Sequence, residues 1–75
     1  MNVLDNIRVN KIEIRPDSIN DFYIYTTNGF YIIFNMEISI PKQIEVLKIF
    51  LAEKGQDFKP TEYIDLRIEG RVYYK

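Results

Sequence analysis

An α+β domain is what this sequence predicts: a mainly antiparallel sheet of about five strands, in the order β, β-hairpin, α, β-hairpin, with one helix packed on a face. Three stretches carry that reading. Asn28-Gly29 separates two runs rich in aromatic and β-branched residues, residues 41–54 place apolar side chains at helical spacing before Gly55, and residues 63–75 read as a second hairpin.

The first strand lies within residues 7–15. Ile12 and Ile14 fall on one face and Lys11, Glu13 and Arg15 on the other, and Pro16-Asp17-Ser18 ends the run. Next come Phe22-Tyr23-Ile24-Tyr25-Thr26-Thr27 and Phe30-Tyr31-Ile32-Ile33-Phe34. Asn-Gly between such runs favours a two-residue type I′ turn, because both central residues then take positive φ. That loop sets Ile24 beside Ile33 and Tyr25 beside Ile32, and makes both faces aromatic or apolar. The hairpin is therefore expected in the centre of the sheet or covered on both sides.

Pro41 suits the first turn of a helix, with Ser39 or Ile40 at its cap. Ile44, Leu47, Phe50 and Leu51, broadened by Val46 and Ile49, form its apolar stripe, while Lys42, Glu45, Lys48 and Glu53 take the remainder. Gly55 supplies the stop. A stripe of this kind is a core surface. Residues 56–61, with Pro60, lead into the last hairpin, and Phe58 is expected to pin that loop to the core.

In the terminal hairpin, Ile64, Leu66 and Ile68 share one face and Tyr63, Asp65 and Arg67 the other. A two-residue Glu69-Gly70 loop pairs Leu66 with Tyr73 and mixes the faces. A three-residue Ile68-Glu69-Gly70 loop, with Gly70 left-handed in a G1 bulge, pairs Leu66 with Val72 and Ile64 with Tyr74. The second sorts polar from apolar and is preferred. It leaves Tyr63, Asp65, Arg67, Arg71, Tyr73 and Lys75 as a charged, aromatic strip, which either meets a partner or is simply solvated. A terminal strand at a sheet edge offers unpaired N–H and C=O groups to an incoming strand.

Composition bounds the function. Seventy-five residues make a single domain, 1–75, near the size at which one core suffices without disulfides or metal. Ten Lys and Arg against eleven Asp and Glu leave a net charge of −1, so no general field draws phosphate backbones or anionic lipid. The lack of Cys excludes disulfides, zinc ribbons and thiol catalysis, and the lack of His removes the commonest general base and the commonest metal ligand. Glu62, Asp65 and Glu69 do not converge, and the glycines stand singly at turns rather than in a phosphate-binding loop. No catalytic residue, metal or cofactor is expected. No apolar run approaches the ~20 residues that span a bilayer, so the chain as given reads as soluble. The alternative reading is a small nucleic-acid-binding module that stacks bases on a tyrosine-rich sheet face through Tyr63, Tyr73 and nearby basic groups.

Tyr63-Ile64-Asp65-Leu66-Arg67, a short turn, and Arg71-Val72-Tyr73-Tyr74-Lys75 resemble the C-terminal signature of the FtsQ/DivIB cell-division family. From about Ile12 onward, the order of strand, Asn-Gly hairpin, helix and I-D-L-R hairpin is similar to that family's β domain. Family members add a cytoplasmic tail, a transmembrane helix and a POTRA domain, which this sequence lacks. The resemblance implies a non-enzymatic divisome scaffold on the extracytoplasmic face of the bacterial cytoplasmic membrane, tied to the membrane only through a segment absent from this chain. It also implies FtsB/FtsL-type partners, bound by strand addition to the last strand, and no nucleic acid. Carried over residue by residue, the partner-binding positions are Arg67, Ile68 (an aromatic in some members), Arg71, Val72, Tyr73 and Tyr74.

Overall fold

A computed structural model describes residues 7–17, 19–55 and 57–75. Ser18, in the expected strand stop, and Gln56, at the start of the expected loop, lie outside them. Five strands, β1 (Val9–Glu13), β2 (Asp21–Thr26), β3 (Tyr31–Asn35), β4 (Tyr63–Asp65) and β5 (Tyr73–Tyr74), and one helix, α1 (Ile40–Lys54), form an α+β fold with the helix packed on the sheet. Strand order follows the chain, β1-β2-β3-β4-β5. Every pairing is antiparallel except β3–β4, which is parallel because α1 lies between those strands and returns the chain in the same direction.

The helix forms where the sequence places it. The Ser39 side-chain oxygen accepts the Lys42 N–H, Pro41 occupies the first turn, and Gly55, at φ 91°, donates its N–H to the Leu51 carbonyl. Its buried stripe is Gln43, Leu47 and Leu51. Leu47 and Leu51 join one core cluster with Ile32, Phe34 and Ile64 from the sheet and Phe30 and Leu66 beside it, and Phe22 stacks on Phe34 with centroids 5.0 Å apart. Ile49, expected in the stripe, is 55% exposed.

Gln43 takes a place the sequence assigns to no core position. Its Oε1 accepts the Asn35 N–H at 2.9 Å, and its Nε2 donates to the carbonyls of Asn35 at 2.8 Å and Ile38 at 3.0 Å. A buried amide is stable only when satisfied in this way, and here it ties the end of β3 to the first turn of α1.

The β2–β3 register corrects the expected turn. Ile24 pairs with Ile32 and Tyr25 with Tyr31, one residue away from the register of a two-residue loop. Only Gly29 has positive φ, at 93°, and no non-glycine residue among those described does, so Asn28 cannot complete a type I′ turn. The loop is instead three residues long, closed by Thr26 N–H donating to the Phe30 carbonyl at 3.0 Å. The Thr26 hydroxyl donates to that carbonyl as well and accepts the Asn28 N–H. The shift sends Phe22, Ile24, Ile32 and Phe34 to the helix side and Tyr23, Tyr25 and Tyr31 to the other.

In the terminal hairpin Ile64 pairs with Tyr74 and Asp65 with Tyr73, the register of the three-residue loop. Gly70 has φ 74°, but the closing bond runs from Arg71 N–H to the Ile68 carbonyl, so Gly70 occupies the third position of a four-residue turn rather than a G1 bulge. Ile68, expected on the apolar face, is 51% exposed, because beyond Leu66 the chain leaves the sheet. Leu66 N–H is spent on the Ile33 carbonyl, and Arg67 N–H turns back to Asp65 Oδ1. No helix among the described residues is long and apolar enough to cross a membrane.

Candidate binding edge and tyrosine face

Among the described residues β5 pairs with β4 alone and so ends the sheet. Tyr63 and Lys75 exchange both backbone hydrogen bonds, Lys75 N–H to the Tyr63 carbonyl at 3.1 Å and Tyr63 N–H to the Lys75 carbonyl at 3.2 Å. In an antiparallel ladder hydrogen-bonded and non-bonded pairs alternate. Tyr73 opposite Asp65 is therefore turned inward, while the N–H and C=O of Tyr74 point away from β4. Val72 continues the outward set. Two outward residues make a short outer edge.

The expected partner-binding side chains fall on three surfaces. Tyr73, 49% exposed, stands on the sheet face away from α1. Tyr74 turns toward α1, its ring 5.4 Å from Phe50 and 5.3 Å from Phe58, and its hydroxyl accepts a hydrogen bond from Lys54 Nζ. Val72 packs against the core. Ile68 and Arg71 line a shallow cleft between the start of α1 and the β4–β5 turn, together with Ile38, Lys42, Val46 and Leu66.

Arg67 is the exception, being already engaged within the chain. Its Nε donates to Asp65 Oδ1 at 2.9 Å and one terminal nitrogen to Asp65 Oδ2 at 2.7 Å, while the other lies 3.5 Å from Asp21 Oδ2. Since Asp21 is on β2 and Asp65 on β4, the guanidinium bridges across β3. Burial alone would push the Asp65 carboxyl up, but the side-chain and backbone hydrogen bonds from Arg67 outweigh it and hold the group below its ordinary value. Hydrogen bonding to Asp65 in turn raises the Arg67 guanidinium.

The face away from α1 carries every tyrosine except Tyr74. Tyr31 sits at its centre, with ring centroids 6.0 Å from Tyr23, 5.4 Å from Tyr25 and 5.8 Å from Tyr63. Burial, and then the Glu62 carboxylate, push the Tyr31 hydroxyl up. Arg15 lies over the Tyr23 ring at 3.9 Å and Lys11 over the Tyr25 ring at 4.7 Å. Arg15 also donates to Glu13 Oε1 at 2.8 Å and to the Tyr25 hydroxyl at 2.7 Å, and that hydroxyl donates to Glu13. The hydrogen bond from Arg15, followed by that from Tyr25, holds the Glu13 carboxyl low.

The sequence placed Tyr63 and Tyr73 on this face but did not bring Tyr23, Tyr25 and Tyr31 together there, because the two-residue turn would have split them. Among the described residues no group of three or more carboxylates could hold a metal ion. Comparison with protein-family models, with curated proteins and with solved structures finds no match to this chain.

Proposed function

We propose that this chain is a non-enzymatic interaction domain that takes an extended segment of a partner protein onto the free edge of β5. Its setting, on this reading, is the bacterial division machinery outside the cytoplasmic membrane, with FtsB/FtsL-type proteins as partners. The observation that carries the docking mode is the outward backbone of Tyr74 on the last strand of the sheet. The divisome setting rests on the resemblance of residues 63–75.

Backbone hydrogen bonds to Tyr74 and Val72 supply affinity that tolerates many partner sequences, and alternate partner side chains supply the choice. Those on the helix side meet the cleft by Val46, Ile68 and Arg71. Those on the other side meet Tyr73. Arg71 and Lys75 are exposed beside the edge and favour an acidic segment, acting more on encounter rate than on final affinity. Arg67, occupied by Asp65 and Asp21, orders the approach to the hairpin rather than reaching a partner.

Tyr74→Pro removes the outward N–H without touching the bonds that Tyr73 and Lys75 make to β4. The expected result is loss of binding to the soluble FtsB/FtsL-type complex of the same cell in a calorimetric titration, with the circular dichroism spectrum kept. Binding equal to that of the unaltered chain would sink the strand-addition reading.

A second reading is favoured by one observation, the clustering of tyrosines beside Lys11 and Arg15. It makes the helix-free face a base-stacking platform. Against it, Arg15 already covers Tyr23, which is only 7% exposed, and the net charge is −1. Saturable, salt-sensitive binding of short single-stranded DNA in a fluorescence titration would move the assignment there.

A further inference from the structure

We infer that β1, the opposite edge of the sheet, is a self-pairing surface through which two copies of this chain join in antiparallel register about Ile12. Among the described residues no strand pairs with its outer side. Edge strands are normally blunted by charge. Here the outer strand carries one charge of each sign, Lys11 and Glu13, and with its continuation presents Ile12 and Ile14 at 63% and 64% exposure.

The backbone phase supports the same surface. Thr26 N–H bonds toward β3, so by alternation Tyr25 and Tyr23 are directed toward β1, where they oppose Lys11 and Glu13. Lys11 and Glu13 are therefore the inward residues of β1. Ile12 sits in a non-bonded pair with Ile24, and its N–H and C=O face outward. Two such strands meeting at a two-fold axis on Ile12 exchange both of those bonds.

The side chains identify the occupant. In that register Lys11 lies opposite Glu13 of the second copy and Glu13 opposite its Lys11, in the non-bonded positions where facing side chains come closest. Both ion pairs fall on the tyrosine face. Ile12 meets Ile12 of the second copy on the helix side, beside the half-buried Ile24 of each chain. The pattern Lys-Ile-Glu reads as its own complement when reversed, which is what an isologous interface requires. A bulge between Val9 and Lys11 ends the ladder at one side and keeps it short. Docking β1 onto β5 of another copy would be head-to-tail and would not close.

Sedimentation of the full chain from about 1 μM to about 1 mM should show the 9.0 kDa monomer giving way to a species of twice that mass. Lys11→Glu and Glu13→Lys each set like charges opposite one another at two places and should weaken the dimer at least about tenfold. An equimolar mixture of the two variants restores opposite charges and should dimerise again. If Glu13→Lys loses its fold by circular dichroism, Lys11→Glu alone decides. Tyr74→Pro, which alters the other edge, should leave the dimer intact. A monomer at every concentration, assembly beyond the dimer, undiminished dimerisation of Lys11→Glu, or loss of the dimer in Tyr74→Pro would overturn the inference.

Discussion

The two faces of this sheet are sealed by different chemistry. Under α1, aliphatic and phenyl side chains exclude water, and Ile64 and Leu66 are almost fully enclosed. On the far side no helix among the described residues lies over the sheet, yet Tyr23 and Ile33 are buried as well, at 7% and 5% exposure. There the cover is made of tyrosine rings, the guanidinium of Arg15 and the bridge that Arg67 throws from Asp65 to Asp21. A small domain can thus close a second face without a second layer of secondary structure, through long amphipathic side chains laid flat on it. The covered face should depend on volume and the open face on charge.

Cutting volume is the most damaging way to test that contrast. Ile64→Ala should cost about 2–5 kcal/mol, by lost transfer energy and the cavity left behind. Urea titration followed by circular dichroism reads it. At roughly 0.05–0.15 kcal/mol per residue, that is a large share of the stability of a chain this small. A loss under about 1 kcal/mol would mean the helix side is loosely packed. Next in size is Gln43→Ala, which takes the acceptor from the half-buried Asn35 N–H and leaves the Asn35 carbonyl with the Ile38 N–H. It should cost about 1–3 kcal/mol in the same titration, a polar penalty within the apolar side.

The open face should respond most weakly, and to pH. The Asp65 carboxyl titrates lower in the folded chain than its ordinary 3.8, so its contribution is complete above that value and disappears as pH falls through the folded value. Asp65→Asn should cost about 1 kcal/mol near neutral pH, since Arg67 is 41% exposed and partly screened. It should also flatten the fall of the urea midpoint as pH drops below 3.8, where protonation of the unaltered carboxyl removes the contribution. Glu13, also held low, leaves a residual slope. Equal acid sensitivity of variant and parent would remove Asp65 from the account.

Most of the fold could be read from residue order because its signals are local: the Ser39–Pro41 helix start, the Gly55 stop, and alternating runs on either side of glycine turns. The two hairpins show where that reading succeeds and where it slips. For Ile64 and Tyr74 the register follows from asking which pairing separates polar from apolar side chains. For the Asn28-Gly29 hairpin the dipeptide's preference for a type I′ turn loses to face sorting assisted by the Thr26 hydroxyl. The parallel β3–β4 pairing joins distant segments and leaves no local mark. The capture of Arg67 by Asp21 is hidden for the same reason. Gln43 is hidden differently, because only the place where β3 ends turns an ordinary helix glutamine into a buried staple. At the candidate site, the pairing of the last strand with β4 is legible, while its place at the sheet edge and the division of its side chains among three surfaces are not.

The connection from β3 through α1 to β4 also sets an order of assembly. β1, β2 and β3 are neighbours along the chain and can zip together locally, whereas β4 must wait for the long closure that brings Tyr63 beside Tyr31. Among the described residues β5 has no strand but β4 to lean on. If β5 is the docking edge proposed above, that edge comes into being last, and recruitment there is itself a check that the chain has finished folding.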